Sequence, residues 1–441
     1  MIQIKREKRE LTQIQRIEEM RPPGGIGHIA VMCNERVIEV KWVRDRRAKE
    51  QHSCENQPCC RFHAIFAAPD YMHIAIIHDW LTGMRGGEKV LEALLEIFPE
   101  ATIYTLLHEQ GKVSGLIESH KIVTSWLNRV PGVHRHYRNL LPLFPSAIAS
   151  FDLSNFELVI SSSHAVAKGV RAPSAIHVCY CHTPMRYVWD AEEDYSFNPL
   201  RRLAMRAIRP RLQRWDCEAA IRVDHFIANS RFVRERIRSY YGRDAEVIPP
   251  PVETTFFSPS AIEREDFYLA AGALVPYKRL DLIVEAFKRL DRRLVIAGGG
   301  SELDRLRKTA TRKIDILGWV TDDTLRHLYR TAKALVIAAR EDFGIVTVEA
   351  QACGCPVIAF GAGGSSEIVQ DGINGILFAE QHADDIVRAV RRFELMAWPA
   401  AQVRSQVEAF SREAFQTKIR KFIANRTGIT MESRNTALQP A

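Results

Sequence analysis

At 441 residues the chain exceeds what a single core usually organises, so two domains are the starting expectation. With 46% hydrophobic and 26% charged residues, it has the composition of a globular protein rather than a disordered one. Its 61 Lys plus Arg against 53 Asp plus Glu suit a phosphate-bearing ligand or an anionic surface without singling out a partner. No stretch reaches the roughly 18 to 20 apolar residues that span a bilayer, and charges stand where a signal peptide would be apolar, which points to a cytoplasmic protein.

Residues 1–71 show no sustained helical or strand period and mix "KREKRE", "RPPGG" and "CENQPCC". They are expected to be a disordered or mis-annotated extension, with Met72 the true start. Cys54, Cys59, Cys60 and His63 fall in this segment, but adjacent cysteines fit zinc-site spacing poorly, and no metal site is expected. The remaining cysteines are scattered, as buried thiols rather than a disulfide frame.

At Met72 the texture changes to strand, glycine turn and amphipathic helix. Short Ile- and Val-rich runs follow at 73–78, 101–107, 156–163, 176–182 and 224–230, the pattern of buried parallel strands separated by helices. "VIPPPVE", 247–253, cannot continue a helix or a central strand and reads as a connector. A second series runs at 267–274, 292–300, 313–320, 332–339, 355–360 and 375–378. The expected architecture is α/β, two doubly wound domains facing a central cleft: 72–248, and 253–400. The segment 406–425 reads as a helix and 426–441 as a tail. In such domains ligands bind at the carboxyl ends of the strands.

Motifs stand at those ends. In "TGMRGGEKV", Gly86 and Gly87 either let the backbone approach a phosphate or simply make a tight turn. "AGGGSEL", 297–303, is a weak dinucleotide fingerprint because its glycines are wrongly spaced. In "REDFGIVTVEAQACGC", Glu341 should lie in the cleft mouth, Gly344 open a helix, and Glu349 follow about a turn and a half later. Amides at Phe343, Gly344, Ile345 and Val346 then form a diphosphate site, while the flanking carboxylates suit sugar hydroxyls. An anionic centre with hydroxyl-rich ends describes a nucleotide sugar.

The block "EDFGIVTVEAQACGCPVIAFGAGGSSEIVQDGINGILF" resembles the signature of glycosyltransferase family 4, retaining enzymes of the GT-B fold, with its E-x7-E motif at Glu341 and Glu349. The likeness runs from Met72 to about residue 425. "YCHTPMRYVWD" and "VPYKRLDL" resemble the branch holding bacterial mannosyltransferases of surface polysaccharide assembly.

The resemblance implies that Glu349 binds the donor's ribose, Glu341 the transferred sugar, and Lys278 the leaving diphosphate. Gly86 and Gly87 close on that diphosphate, His182 lies beside the reacting centre, and the backbone from Gly318 to Val320 receives the base. It also implies that 406–425 returns across the connector to the first domain. The family's usual arginine five residues before the lysine is replaced by Ala273, with Arg279 the nearest substitute in sequence.

The implied reaction moves a sugar, mannose as the best match, from GDP-mannose or a UDP-sugar to a glycan or polyprenol-linked acceptor. Neither a cofactor nor nucleic acid is expected. The basic amphipathic stretches 123–148, with Trp126, Leu140, Leu141 and Phe144, and 199–215, with six arginines, suit peripheral contact with the inner face of the cell membrane as well as solvated or core-facing helices. The alternatives are a nucleotide-sugar epimerase of the same fold and a donor-binding homologue with weakened catalysis.

Overall fold

The computed structural model describes residues 28–33, 36–41, 72–190 and 199–429. The chain divides into two compact units, 1–69 and 70–441. In the first, strands His28–Cys33 and Arg36–Lys41 pair antiparallel, a hairpin within a segment whose sequence shows no sustained strand period. The remaining residues of this unit, including the cysteine and histidine cluster, lie outside the described residues.

The second unit is built on two parallel sheets. The first has seven strands in the order Ile122–Thr124, Thr102–Thr105, Ile74–His78, Leu158–Ser163, Ile176–Cys181, His225–Ala228 and Ala245–Val247. The second has six, ordered Ile314–Gly318, Leu294–Ala297, Tyr268–Ala271, Leu335–Ile337, Val357–Phe360 and Gly375–Phe378. In both, the chain starts in the middle, winds to one edge, then returns to wind the other way, which makes a doubly wound sheet. The strand order reverses between Ile74–His78 and Leu158–Ser163 in one sheet, and between Tyr268–Ala271 and Leu335–Ile337 in the other. Those crevices are where ligands bind in this architecture.

The central strands are uniformly buried because helices cover both faces, and this is why they read as apolar runs, although Leu158–Ser163 ends in three buried serines. Ile122–Thr124 and Ala245–Val247 carry no such run. Each has only three residues and lies at a sheet edge, where little burial is demanded of them.

Past the three prolines, Val252 bridges Ser411 and donates its amide to the carbonyl of Phe410, so two chain crossings run side by side between the lobes. The helix Arg412–Thr427 then packs Phe415, Ile419, Phe422 and Ile423 into the core of the first lobe. Arg412 fixes the crossing by pairing with Glu96 of the first lobe and Glu253 of the connector. The helix runs to Thr427, two residues into the expected tail, and Gly428 ends it in the left-handed region at φ 71°. No helix among the described residues is long and apolar enough to cross a membrane.

Candidate functional site in the cleft

The loop after Leu335–Ile337 carries Glu341, Asp342 and Phe343, and the helix Ile345–Ala352 follows. Gly344 caps that helix at φ 102°, a conformation that side-chain-bearing residues rarely adopt. The amides of Ile345 and Val346 have no carbonyl within the helix to bond, while Thr347 donates its amide to the Gly344 carbonyl at 2.9 Å, and the helix dipole adds positive character there. Two hydroxyls crowd the same turn: a Cβ added to Gly344 would meet Ser365 Oγ at 2.9 Å and Thr347 Oγ1 at 3.1 Å. Both hydroxyls are buried, without a hydrogen-bond partner in the protein.

The second glycine turn supports this loop from below. Gly364 donates its amide to the Glu341 carbonyl at 2.7 Å, and Glu341 bridges Gly363. A Cβ on Gly364 would lie 2.3 Å from the Cα of Phe343. The helix that follows, Ser365–Ile368, is a single turn.

Glu341 is 8% exposed, and both its carboxylate oxygens accept from Lys278 Nζ, at 2.6 and 2.7 Å. Burial works against the charge on Lys278, but Glu341 outweighs it and holds the ammonium above its usual range. Glu349 is 7% exposed and accepts from the Tyr329 hydroxyl at 3.1 Å. Burial pushes its carboxyl up to about 7 against the pull of Lys89, which comes from the opposite lobe. Lys89 also reaches Asp322 at 3.7 Å across the cleft.

Gly86 and Gly87 open the helix Gly86–Ile97, so the N-termini of two helices from different lobes meet. The meeting is close. A Cβ on Gly86 would lie 2.5 Å from Cδ1 of Ile345, and one on Gly87 would lie 3.3 Å from the His78 ring and 3.8 Å from His182 Nε2.

His182 follows the strand Ile176–Cys181, and its Nε2 lies 2.8 Å from Ser162 Oγ, which also lies 3.2 Å from His78 Nδ1. Burial, aided by His164 and His78, pushes the His182 imidazole down to about 3, so it is neutral at physiological pH. The opposite holds for His164. Its Nδ1 lies 3.0 Å from Asp79, which raises the imidazole against burial. Asp79 in turn accepts the backbone amides of residues 164 to 167, and its carboxyl sits well below the usual range because these interactions overcome the cost of burial.

The structure therefore gathers Glu341, Lys278, Gly344, Ile345, Gly86, Gly87 and His182 around one cleft. Arg279 turns away. Its backbone is left-handed at φ 52°, and its guanidinium meets Asp281 on its own helix, both contacts at 3.2 Å. At the expected base site, Gly318 ends its strand at φ 77° and accepts the amide of Gly298 at 2.7 Å. Val320 packs against the core of the second lobe, and Trp319 between them is 78% exposed.

Several residues at the cleft carry no expectation from sequence: Asp79, His164, Ser162 and Asp342. His164 and Ser162 stand in "SSSHAVAKGV" at a strand end, which was a usable positional signal. Asp342 offers none, because its partners come from the other lobe. Among the described residues, no group of three or more His, Cys, Asp and Glu is arranged to hold a metal ion.

Residues 252–409 match the family profile described as glycosyl transferases group 1, and residues 99–256 the one described as glycosyltransferase family 4. Over 80% of its length the chain superimposes on all of HepE of Anabaena, solved with UDP and glucose, with TM-score 0.60 and 17% identity. A sucrose-phosphate synthase from Thermosynechococcus elongatus superimposes over 80% of this chain and 98% of its own, with TM-score 0.62 and 18% identity. The fold is GT-B.

The two profiles and the curated relatives support a GT-B glycosyltransferase family for the chain. An uncharacterized glycosyltransferase of Methanocaldococcus jannaschii is 35% identical over 126 residues, 27% of this chain and 36% of its own. A D-inositol 3-phosphate glycosyltransferase of Nocardiopsis dassonvillei is 31% identical over 219 residues, 42% of this chain and 51% of its own. The chain thus spans about a third to a half of the length of the curated relatives it matches. Within the GT-B frame, the group 1 profile covers Lys278, Glu341 and Glu349, and the family 4 profile covers His182.

Proposed function

We propose that the chain transfers a sugar from a nucleoside diphosphate sugar to a glycan or lipid-linked acceptor, with retention at the anomeric carbon and mannose as the working donor sugar. The convergence of two helix N-termini at Gly86 and Ile345, beside Lys278, carries this reading. Such a junction answers the charge of a diphosphate, and that charge grows as the bond from the anomeric carbon to the diphosphate oxygen breaks. Lys278 leaves Glu341 for the phosphate oxygens, and Glu341 then accepts hydroxyls of the sugar. Glu349 holds the ribose hydroxyls, and the neutral His182 bonds the sugar without adding positive charge beside an oxocarbenium-like centre. The acceptor oxygen bonds the anomeric carbon on the face from which the diphosphate departs, and its proton passes to the departing oxygen.

HepE was solved with UDP-glucose, which supports a nucleotide-sugar donor, while the resemblance of "YCHTPMRYVWD" to mannosyltransferases favours GDP-mannose. The acceptor is assigned to the first lobe. The surface there differs from the sequence expectation: Leu141 and Phe144 belong to the core, while Trp126, 42% exposed, stands out with Val130 and Leu143 among exposed Arg129, Arg135 and Arg138. That mixture suits peripheral contact with an anionic membrane carrying a lipid-linked acceptor.

Incubation with GDP-mannose and UDP-sugars, with and without a lipid-linked acceptor extract, tests the proposal by its products. Acceptor-dependent release of nucleoside diphosphate with a retained anomer is expected. Donor converted to an isomeric sugar without acceptor would indicate an epimerase instead.

A further inference from the structure

Arg186 opens the short helix Arg186–Trp189 of the first lobe, four residues beyond His182. Its Nε donates to Asp342 Oδ2 at 2.9 Å, and Thr183 Oγ1 donates to the other oxygen of that carboxylate at 3.1 Å. The guanidinium carbon lies 5.1 Å from the centre of the Tyr277 ring, and Lys278 Nζ lies 5.4 Å from the same centre. Arg186 is 13% exposed at its side chain. Two cations from opposite lobes therefore lie within 5.4 Å of the centre of one ring, each paired with one of two consecutive carboxylates, Glu341 and Asp342.

A contact that merely held the lobes together would not need this arrangement. Thr183 already joins the Asp342 carboxylate, and Ser230 Oγ donates to the Asp342 carbonyl at 2.5 Å. Placing a guanidinium there adds a cost, since Arg186 is near enough to oppose the charge on Lys278. An anion between the two removes that repulsion. The carboxylate that Arg186 meets stands three residues before the helix Ile345–Ala352, whose first amides favour negative charge, and the guanidinium fork matches phosphate oxygens.

The geometry points to Arg186 as the second cation of the donor diphosphate site, supplied by the acceptor lobe and held in place by Asp342. Closure of the lobes thus completes the anion site, with Lys278 on one side and Arg186 on the other. The assignment deepens the nucleotide-sugar reading and rests on it.

Calorimetric titration with UDP, GDP and their parent nucleosides separates the two claims. Wild-type protein binding a nucleoside diphosphate more tightly than its nucleoside supports the donor site; binding of neither overturns both claims together. For R186Q the expected result is a ten- to hundredfold loss of diphosphate affinity with nucleoside affinity unchanged, and R186K should recover part of the loss. D342N keeps the cation while weakening its tether, so it should lose less than R186Q. Unchanged diphosphate affinity in R186Q overturns the assignment, as does an equal loss in R186Q and D342N, which would make Arg186 a clamp between lobes. Thermal melts of R186K and R186Q within a few degrees of wild type exclude misfolding as the cause.

Discussion

Lys278 Nζ lies 2.6 and 2.7 Å from the two carboxylate oxygens of Glu341, so the group expected to meet a diphosphate and the group expected to meet a sugar neutralise each other. The pair is a site charged in advance: neither ion stands buried alone, and a donor that separates them supplies a partner for each. Removing one member exposes the cost of the other. K278A should destabilise the protein by about 3 kcal/mol, within the range for breaking a buried pair, because Glu341 is left without its cation. K278A should also lower turnover at least a hundredfold. E341Q should also melt below wild type, since it leaves the Lys278 ammonium without its anion, and turn over slowly. Chemical denaturation and donor turnover on both variants check this.

Glu349 is a carboxyl held at about 7 by burial, from an ordinary value of 4.5. A folded value above the unfolded one means that the folded state binds the extra proton. Its contribution to stability is present below about 4.5 and is lost as pH rises through about 7. E349Q should therefore be more stable than wild type at pH 8, by about 1 to 3 kcal/mol, and closer to it at pH 5. The same variant should bind donor more weakly at pH 8, where the carboxylate is the proposed ribose acceptor. Melting curves and donor titrations at both pH values check the two signs.

His182 runs the other way. Its imidazole falls to about 3 in the folded protein, from an ordinary 6.5, so the unfolded chain binds the proton first. Stability conferred by this group is present above about 6.5 and is lost as pH falls toward 3, at up to about 1.4 kcal/mol per pH unit. H182N should flatten that slope. Denaturation from pH 7 to 4 on wild type and variant measures the difference.

The glycines differ in what they tolerate. At Gly86 an added Cβ meets the end of the Ile345 side chain, which can rotate away; at Gly364 it meets backbone of Phe343 and Asp342 at 2.3 and 2.5 Å. G86A should fold like wild type and weaken donor binding only mildly. G364A should shift the loop that carries Glu341 and cost about 1 to 3 kcal/mol of stability, as overpacking does. Thermal melts and donor affinity on the two variants give the comparison.

Much of the fold was legible because parallel strands covered on both faces must be continuously apolar, as Leu335–Ile337 and Val357–Phe360 are. Edge strands such as Ala245–Val247 were not, since three residues, only the first of them buried, leave no period to read. The positions of Glu341 after a strand and Glu349 in a helix followed from Gly344 and the apolar run around it. Arg186 was hidden for a different reason. Its meaning depends on Asp342, 156 residues away on the other lobe, and only docking of the lobes brings the two together. The Asp79 and His164 pair is similar: residues at the ends of two strands become partners only because those strands are neighbours in the sheet.

The central claim is that the cleft cleaves a nucleoside diphosphate sugar with Lys278 meeting the leaving group. Its most direct test is release of nucleoside diphosphate from GDP-mannose and UDP-sugars by wild type and K278A, at saturating donor and with the lipid-linked acceptor extract present. Release by wild type from at least one donor, reduced at least a hundredfold in K278A, is the predicted result. No release from any donor, or release undiminished in K278A, would contradict it.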